Sequence, residues 1–321
     1  MSGREELSGA VEQIRDLCAP APYEQGRSYF NSSLSKRQGG QAGDRQFKTL
    51  RHAYQVVCRV ANGDYSQLFG AYMDDEAGQE ERVVIKIVDD PQDNDLLLNE
   101  LRTLEYLQAK PGNQQKHLPS LVDRFVISGQ DGEKECQGSV LKYFDGLDIL
   151  EIRQLPKFRD GFPAYHSGWA LERLLSVAGF AHSCGVVHGN IEPAHIMLRP
   201  RNHGLCLLDW SYASINPAQT GDSYRVMNEI GYSAPEIREG ASPHPSADLY
   251  SIGKSIVALL GGDVESGEMP DSTDERFQKL VRMMILEDPQ SRAQDAWVMH
   301  HLVKQVRREI WGEHEFITLE F

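Results

Sequence analysis

Two hydrophobic patterns divide this chain of 321 residues. In the first half, short runs rich in Val, Ile and aromatic residues alternate with turn residues, which is typical of β-strands. These runs lie at 54–60, 67–73, 82–88, 122–128 and 138–144. Apolar residues at helical spacing predict helices at 94–109, 167–184, 247–260, 274–286 and 295–310. The pattern predicts an α+β protein in which a strand-rich lobe is followed by a helix-rich lobe.

Both ends of the chain lie outside this pattern. Residues 1–50 are predicted to be a flexible extension, because 28–44 is rich in Ser, Gly, Gln and basic residues with few apolar anchors. Within the extension, 11–17 has the spacing of a short amphipathic helix. At the other end, the apolar residues of 311–321 are predicted to pack on the domain or to bind a partner.

Composition restricts the function classes that need to be considered. The net charge of −14 argues against a general affinity for nucleic acid, which requires a basic surface. The five cysteines are dispersed, with no C-x-x-C pair, which favours a reducing compartment. No segment approaches the roughly 18 apolar residues of a membrane span, and the N-terminus lacks the apolar core of a signal peptide. We therefore expect a cytoplasmic protein whose partners include neither nucleic acid nor membrane.

Short motifs that carry chemistry follow one another in a fixed order. They are 61–71 in a strand-turn-strand, Val83-Val84-Ile85-Lys86, Glu100, 188–197, Asp209-Trp210-Ser211, Ser233-Ala234-Pro235-Glu236 and 248–253. In this order and spacing they resemble the motifs of the protein kinase family, over roughly residues 54–310. The resemblance implies a two-lobed kinase-like domain at 51–310, with an N-lobe at 51–141 and a C-lobe at 145–310. The chain resembles degenerate bacterial members of the family more than animal members.

The first residue of the predicted nucleotide-binding site is a lysine in an apolar strand. Lys86 needs a partner for its ammonium group, and Glu100 shares a helix face with Leu97 and Leu104, which points it inward. The pair could be an ordinary buried ion pair. By resemblance, Lys86 holds the α- and β-phosphates of ATP and Glu100 positions it. Of the glycines in the phosphate loop, Gly63 alone matches the family.

The resemblance also implies an adenosine site around an interlobe hinge. Leu141 would be the gatekeeper, the Lys142 carbonyl and the Phe144 amide would meet the adenine edge, and Asp148 would accept the ribose hydroxyls. The residues predicted to sandwich the base are Leu68, Val84 and Met197. Plain core packing is the alternative explanation for this apolar set.

The loop that performs phosphotransfer in the family is changed at its key positions. Asn190 stands where the catalytic aspartate is expected, and a carboxamide cannot accept a proton at neutral pH. Glu192 replaces the lysine that neutralises the γ-phosphate, and His195 replaces a metal-binding asparagine. Gly189 replaces an arginine. Asp209 is retained at the position of a Mg²⁺ or Mn²⁺ ligand.

These changes favour a pseudokinase: a nucleotide-binding signalling or scaffolding protein with impaired phosphotransfer and an unidentified protein partner. The alternative is an active kinase-fold transferase with a non-standard loop, either a serine/threonine kinase or a nucleotidyl transferase, in which Glu192, His195 and Asp209 form an acid-base or metal set. Two architectural contacts are also predicted by resemblance. Glu236 would pair with Arg292, and Asp248 would bind backbone amides of the altered loop.

Overall fold

The computed structural model describes residues 14–15, 46–74, 78–127, 135–224, 231–313 and 317–319. The chain divides into two compact units. The first unit contains residues up to Leu101 together with Ser120–Asp145, and the second contains Arg102–Pro119 together with the chain from Gly146 onward. The architecture is a mixture of antiparallel sheet and helices, which is compatible with a kinase-like fold.

The described part of the first unit is built on a six-stranded antiparallel sheet with strand order β1-β2-β3-β4-β6-β5. Its strands are β1 (Gln46–Lys48), β2 (Ala53–Asn62), β3 (Ser66–Asp74), β4 (Glu80–Val88), β5 (Leu121–Ile127) and β6 (Cys136–Lys142). Helix α1 (Asn94–Gln108) connects β4 to β5. The division between the two units falls within this helix, after Leu101.

Side-chain alternation gives the sheet two different faces. One face carries the buried residues Phe69, Ala71, Val83, Ile85 and Val140, which pack in one hydrophobic cluster. Ile14, which is only 1% exposed, belongs to this cluster. Lys86 and Val84 alternate with these core residues along β4 and therefore lie on the opposite face.

The second unit is mainly helical in its described residues. Its helices after α1 are α2 (Ile149–Gln154), α3 (Ala164–Ser183), α4 (Pro217–Thr220), α5 (Pro235–Arg238), α6 (Pro245–Leu260), α7 (Glu275–Met284) and α8 (Ala296–Trp311). Two small antiparallel sheets join them, and their strands are β7 (Leu147–Asp148), β8 (Val186–Val187), β9 (Ile196–Arg199), β10 (Gly204–Leu207) and β11 (Ser214–Ile215).

Helices α3 and α8 approach each other closely at a glycine. A Cβ atom on Gly179 would lie 2.9 Å from the indole ring of Trp297, closer than side chains tolerate. The same ring donates a hydrogen bond from Nε1 to Ser183 Oγ at 3.0 Å. Glycine at this position therefore leaves room for the Trp297 ring beside the α3 backbone, and the ring contributes to the packing of α8 against α3.

The structure confirms the predicted strands and helices, with small shifts of their ends. Strand β6 begins and ends two residues before the predicted 138–144. At its start, the side chain of Asn94 binds the backbone, with Oδ1 accepting from Gln137 N at 2.8 Å. In the predicted helix at 11–17, Ile14 and Arg15 are helical, and the remaining residues lie outside the described part. The segment 28–44 also lies outside it.

Two further sequence expectations touch the described residues. In the C-terminal stretch, the carbonyl oxygen of Ile317 lies 3.1 Å from His203 Nε2, so this part of the stretch contacts another segment of the second unit. No helix within the described ranges is long and apolar enough to cross a membrane. Four cysteines are described (Cys58, Cys136, Cys184 and Cys206), and all of them are free thiols.

Candidate functional site

The predicted pairing of Lys86 with Glu100 is confirmed. Lys86 Nζ donates to Glu100 Oε2 at 2.7 Å, and the two side chains are only 7% and 2% exposed. Strand β4 directs Lys86 away from the hydrophobic cluster, and α1 directs Glu100 inward together with the buried Leu97 and Leu104. A buried ammonium group is costly unless it is paired, and Glu100 supplies the pairing carboxylate.

An aromatic ring also covers Lys86. The ammonium group lies 4.6 Å from the centroid of the Tyr65 ring, and Tyr65 is only 5% exposed although it sits in the turn between β2 and β3. That turn is closed by a hydrogen bond from Gly63 N to Ser66 O at 2.8 Å. The resemblance predicted a phosphate loop in this segment, and the burial of the Tyr65 ring was not predicted. The sequence signal that could have indicated this burial is an aromatic residue, Tyr65, between polar residues in a turn.

The first-unit residues predicted to line the adenine site share one face of the sheet. Leu68 is the register partner of Lys86, and Val84 is the register partner of Leu141. Directly opposed residues of antiparallel strands point to the same side, so all four side chains lie on the face opposite the hydrophobic cluster. Leu68 and Val84 are partly buried there, beside a second cluster that contains Val57, Cys58, Val60 and Tyr72.

The hinge residues have local structural roles. Lys142 Nζ forms an exposed ion pair with Glu81 Oε1 at 2.8 Å, and its backbone N–H donates to Ser120 O. Phe144 follows β6 and is half-buried. The adenine contacts assigned to Lys142 and Phe144 stay predictions.

Asp148 caps a helix. Its Oδ1 accepts from Glu151 N at 2.8 Å while Glu151 Oε2 accepts from Asp148 N at 3.0 Å, which is the reciprocal capping box of α2. Met197 is the register partner of Asp148 across β7 and β9 and is buried. Helix capping explains the position of Asp148, and packing in the β7–β9 pair explains that of Met197. Their contacts with ribose and adenine stay predictions.

In the second unit, the altered loop is held by a buried aspartate, as predicted. Asp248 accepts from His188 N at 2.8 Å and from Gly189 N at 2.9 Å, and His182 Nε2 lies 2.8 Å from its Oδ2. Burial alone would raise the pKa of Asp248, but the contact with His182 and the amide hydrogen bonds outweigh it and lower the pKa. A charged Asp248 therefore anchors the loop backbone.

Gly189 has a conformational role that its residue type alone did not reveal. Its φ of 75° lies in the left-handed region, and a Cβ atom there would lie 3.2 Å from the carbonyl oxygen of Tyr212. An arginine at this position would be strained. The glycine therefore fits the backbone of this loop, in addition to removing the family's arginine.

His188 is buried and neutral. Burial is the largest influence on its pKa, which falls from 6.5 to about 4. Its Nδ1 accepts from Asn190 N at 3.2 Å and its Nε2 donates to Leu208 O at 3.0 Å. The ring also packs against Trp210, with ring centroids 4.4 Å apart, as predicted for a structural histidine.

The predicted catalytic and metal positions of this unit converge on Asp209. Asn190 Nδ2 donates to Asp209 Oδ2 at 3.2 Å, and the Ser211 hydroxyl donates to Asp209 Oδ1 at 2.7 Å. His195 Nε2 lies 3.3 Å from Asp209 Oδ2 and 3.6 Å from Glu192 Oε1. Asp209 itself has a left-handed backbone, with φ 58°. At the position of a catalytic base, this chain thus places an amide donor.

His195 uses both ring nitrogens in this cluster. Nδ1 lies 2.8 Å from the carbonyl oxygen of Asn190, which can only accept a hydrogen bond. Nε2 faces the carboxylates of Asp209 and Glu192. The ring is thus held at Nδ1 by the Asn190 carbonyl and faces two carboxylates with Nε2.

The cluster around Asp209 does not fit a divalent cation in this arrangement. Mg²⁺ and Mn²⁺ prefer oxygen ligands, whereas the Asp209 carboxylate accepts hydrogen bonds from Asn190 Nδ2 and the Ser211 hydroxyl and faces a ring nitrogen of His195. Among the described residues, no group of three His, Cys, Asp or Glu side chains is arranged to hold a metal ion. The metal-ligand role of Asp209 stays a prediction.

The known proteins that are similar to this chain include two kinases. The chain is 24% identical over 237 residues to a probable serine/threonine-protein kinase of Dictyostelium discoideum, covering 73% of this chain. It is 25% identical over 228 residues to the serine/threonine-protein kinase pkn3 of Myxococcus xanthus, covering 67% of this chain. Both similarities support a protein kinase family. The matched regions span 36% and 39% of the lengths of these two relatives. No family model matches the chain.

Proposed function

We propose that this chain is a pseudokinase-like protein that binds a nucleotide and acts in signalling or as a scaffold, with impaired phosphotransfer. The observation that carries the proposal is the hydrogen bond from Asn190 Nδ2 to Asp209 at 3.2 Å. It puts a neutral donor at the position of the catalytic base, in a chain that keeps a buried Lys86–Glu100 pair. The similarity to serine/threonine kinases supports the kinase part of the proposal.

Nucleotide binding is proposed from the chemistry of the first unit. Lys86 supplies a charged ammonium group that Glu100 orients, and ATP supplies the negatively charged phosphates that would meet it. Leu68, Val84 and Leu141 add an apolar surface beside Lys86 that suits a purine base. Gly63, Lys142, Phe144, Asp148 and Met197 are proposed to complete the contacts by their resemblance to kinase positions.

We expect phosphotransfer to be impaired because of the charges and proton-accepting groups in the altered loop. Phosphoryl transfer depends on positioning and on positive groups that stabilise the transferring phosphoryl group. Glu192 brings a carboxylate to a position where the family has a lysine, so its charge opposes the transition state. Asn190 cannot accept the proton of a hydroxyl substrate. The proposed role therefore uses nucleotide binding to control a protein partner in the cytoplasm.

One observation favours the alternative of an active transferase. Glu192, His195 and Asp209 do converge, with His195 Nε2 within 3.3 Å and 3.6 Å of the two carboxylates. Such a group could move protons in a reaction other than ordinary phosphorylation. Incubation with ATP labelled at the γ- or the α-phosphate separates the cases. Label from γ-ATP that Asp209→Ala abolishes would contradict the pseudokinase proposal, and label from α-ATP alone would support nucleotidyl transfer.

Thermal unfolding tests nucleotide binding directly. ATP at about 100 times its Kd should add roughly 2.7 kcal/mol to the free energy of unfolding and raise the melting temperature. Lys86→Met keeps the apolar stem of the side chain and should abolish the shift. Lys48→Ala is the matched control, because Lys48 is an exposed lysine on a strand of the same sheet. A melting temperature unchanged by millimolar ATP would refute the nucleotide-binding part and leave a scaffold.

A further inference from the structure

The face of the six-stranded sheet that lies opposite Lys86 is apolar and buried. Tyr54, Phe69, Val83 and Ile85 on this face are all 0% exposed, and they pack in one hydrophobic cluster. No described member of that cluster is charged. A sheet buries an apolar face only where another element packs on it, so this face requires a cover with an apolar side of its own.

Ile14 belongs to that cover. Among the described members of the cluster, it alone lies outside the six strands, and it is only 1% exposed. Ile14 and Arg15 are helical. In the sequence, Val11, Ile14 and Leu17 recur at every third position with polar residues between them, which is the spacing of one apolar helix side. The segment 11–17 therefore has the chemistry that the sheet face requires.

The connection of this segment to the sheet suits reversible docking. Ile14 and Gln46, the first residue of β1, are joined by the long segment 15–45, which contains the polar stretch 28–44. A long polar tether holds a segment near its site at an effective concentration of about 1 mM. A helix of two turns is too short to be stable alone in water, so the helical form of 11–17 depends on its contact with the sheet.

We propose that the sheet face opposite Lys86 is a docking site for an amphipathic helix, and that residues 11–17 of this chain occupy it in cis with Ile14 as the anchor. Release of the helix leaves the strands paired and uncovers the apolar face. Docking requires no nucleotide, because Lys86 and Glu100 lie on the other side of the sheet.

Two buried cysteines report on the two faces of the sheet separately. Cys136 is 0% exposed and lies in the cluster that contains Ile14, whereas Cys58 is 2% exposed and lies in the cluster beside Val84 on the Lys86 face. Neither cysteine forms a disulfide bond. A buried thiol reacts only when the structure around it opens. Labelling with N-ethylmaleimide, followed by mass spectrometry, therefore measures the opening of each face.

Substitution of the anchor tests the docking. Ile14→Asp puts a charge against the apolar face and should raise the labelling rate of Cys136 at least about tenfold, while that of Cys58 changes less than about threefold. Ile14→Leu keeps the apolar volume and should behave as the wild type. Ile14→Ala should show the same selectivity with a smaller effect, and it decides the case if Ile14→Asp unfolds the whole unit. Unchanged Cys136 labelling in Ile14→Asp, or equal acceleration of both thiols in Ile14→Ala, would overturn the proposal.

A peptide supplied in trans tests whether the face is a binding site. A synthetic peptide of residues 7–20, with Cys18→Ser so that it carries no thiol, is added to the full-length Ile14→Asp variant at about 1 mM, the effective concentration of the tethered segment. It should slow the labelling of Cys136 at least about threefold, and the same peptide carrying Ile14→Asp should not. Equal labelling with the two peptides would overturn the docking site. Protection of Cys136 in the wild type that weakens on dilution would assign the cover to a second copy and overturn occupancy in cis.

Discussion

Removal of the charge of Glu236 should destabilise the second unit strongly. Glu236 in α5 binds the guanidinium group of Arg292, with Arg292 Nη2 donating to Glu236 Oε2 at 3.0 Å, which confirms the predicted pair. The Arg292 side chain is 0% exposed. Its other donors reach backbone oxygens, with Nε donating to Leu286 O at 2.7 Å and Nη2 to Glu287 O at 2.9 Å. Arginine stays protonated, so Glu236→Gln leaves a buried cation without its counter-charge.

The expected loss follows from this burial. Removal of one partner from a buried ion pair costs about 3–5 kcal/mol, and Glu236→Gln should lie near 3 kcal/mol because the amide oxygen still accepts one hydrogen bond. Urea unfolding measures the loss. All four tryptophans (Trp169, Trp210, Trp297 and Trp311) belong to the second unit, so tryptophan fluorescence follows the unfolding of that unit alone.

An exposed ion pair in the same unit supplies the control. Arg276 Nη2 lies 2.8 Å from Asp274 Oδ2, but the Arg276 side chain is 49% exposed. Arg276→Gln should therefore cost far less than Glu236→Gln, because solvent screens an exposed pair. If Glu236→Gln cost no more than Arg276→Gln, the pair would be energetically equivalent to a surface pair, and the argument from burial would be refuted.

Three further predictions test separate features. Burial lowers the pKa of His166 to about 4, below its unfolded value of 6.5. The protein should therefore keep its whole free energy of unfolding above about pH 6.5 and lose on the order of 3 kcal/mol of it as the pH falls toward 4. Urea titrations across this range should show the slope in the wild type and a smaller one in His166→Phe. Gly179→Ala should lower stability, because overpacking against Trp297 costs about 1–3 kcal/mol and outweighs a helix-propensity gain of about 1 kcal/mol; a higher urea midpoint would contradict this. Tyr65→Ala should raise ATP affinity by about fivefold, because the cation–π contact with Lys86 of about 1 kcal/mol no longer competes with the nucleotide. Calorimetry measures it, Tyr65→Phe is the control that keeps the ring, and weaker binding by Tyr65→Ala would refute the competition.

Contacts that depend on one regular element facing another were predictable from the sequence. Strand alternation put Lys86 on the face opposite Ile85, and helical spacing put Glu100 beside Leu97, so the pair at 2.7 Å follows from two periodicities. The pairing of Glu236 with Arg292 needed the family resemblance as well, because neither residue lies in a long periodic segment.

Contacts that depend on turn geometry were not predictable in the same way. The burial of Tyr65 depends on how the turn from Gly63 to Ser66 folds back, and hydrophobic patterning says little about the direction of a turn residue. The left-handed φ of Gly189 is likewise a property of the loop as a whole. The short strands β7, β8, β9 and β11 were missed because segments of two to four residues carry no measurable period.

The departures from the kinase pattern around Asp209 make physical sense as a set. Taken singly, Asn190, His195 and Ser211 each remove a feature of the phosphotransfer loop. Together they surround the Asp209 carboxylate: Asn190 and Ser211 donate to it at 3.2 and 2.7 Å, and His195 Nε2 lies 3.3 Å from its Oδ2. A return to aspartate at Asn190 alone would set two carboxylates against each other and remove one of those donors. Residues coupled in this way do not contribute additively, so the loop is better understood as one network than as three losses.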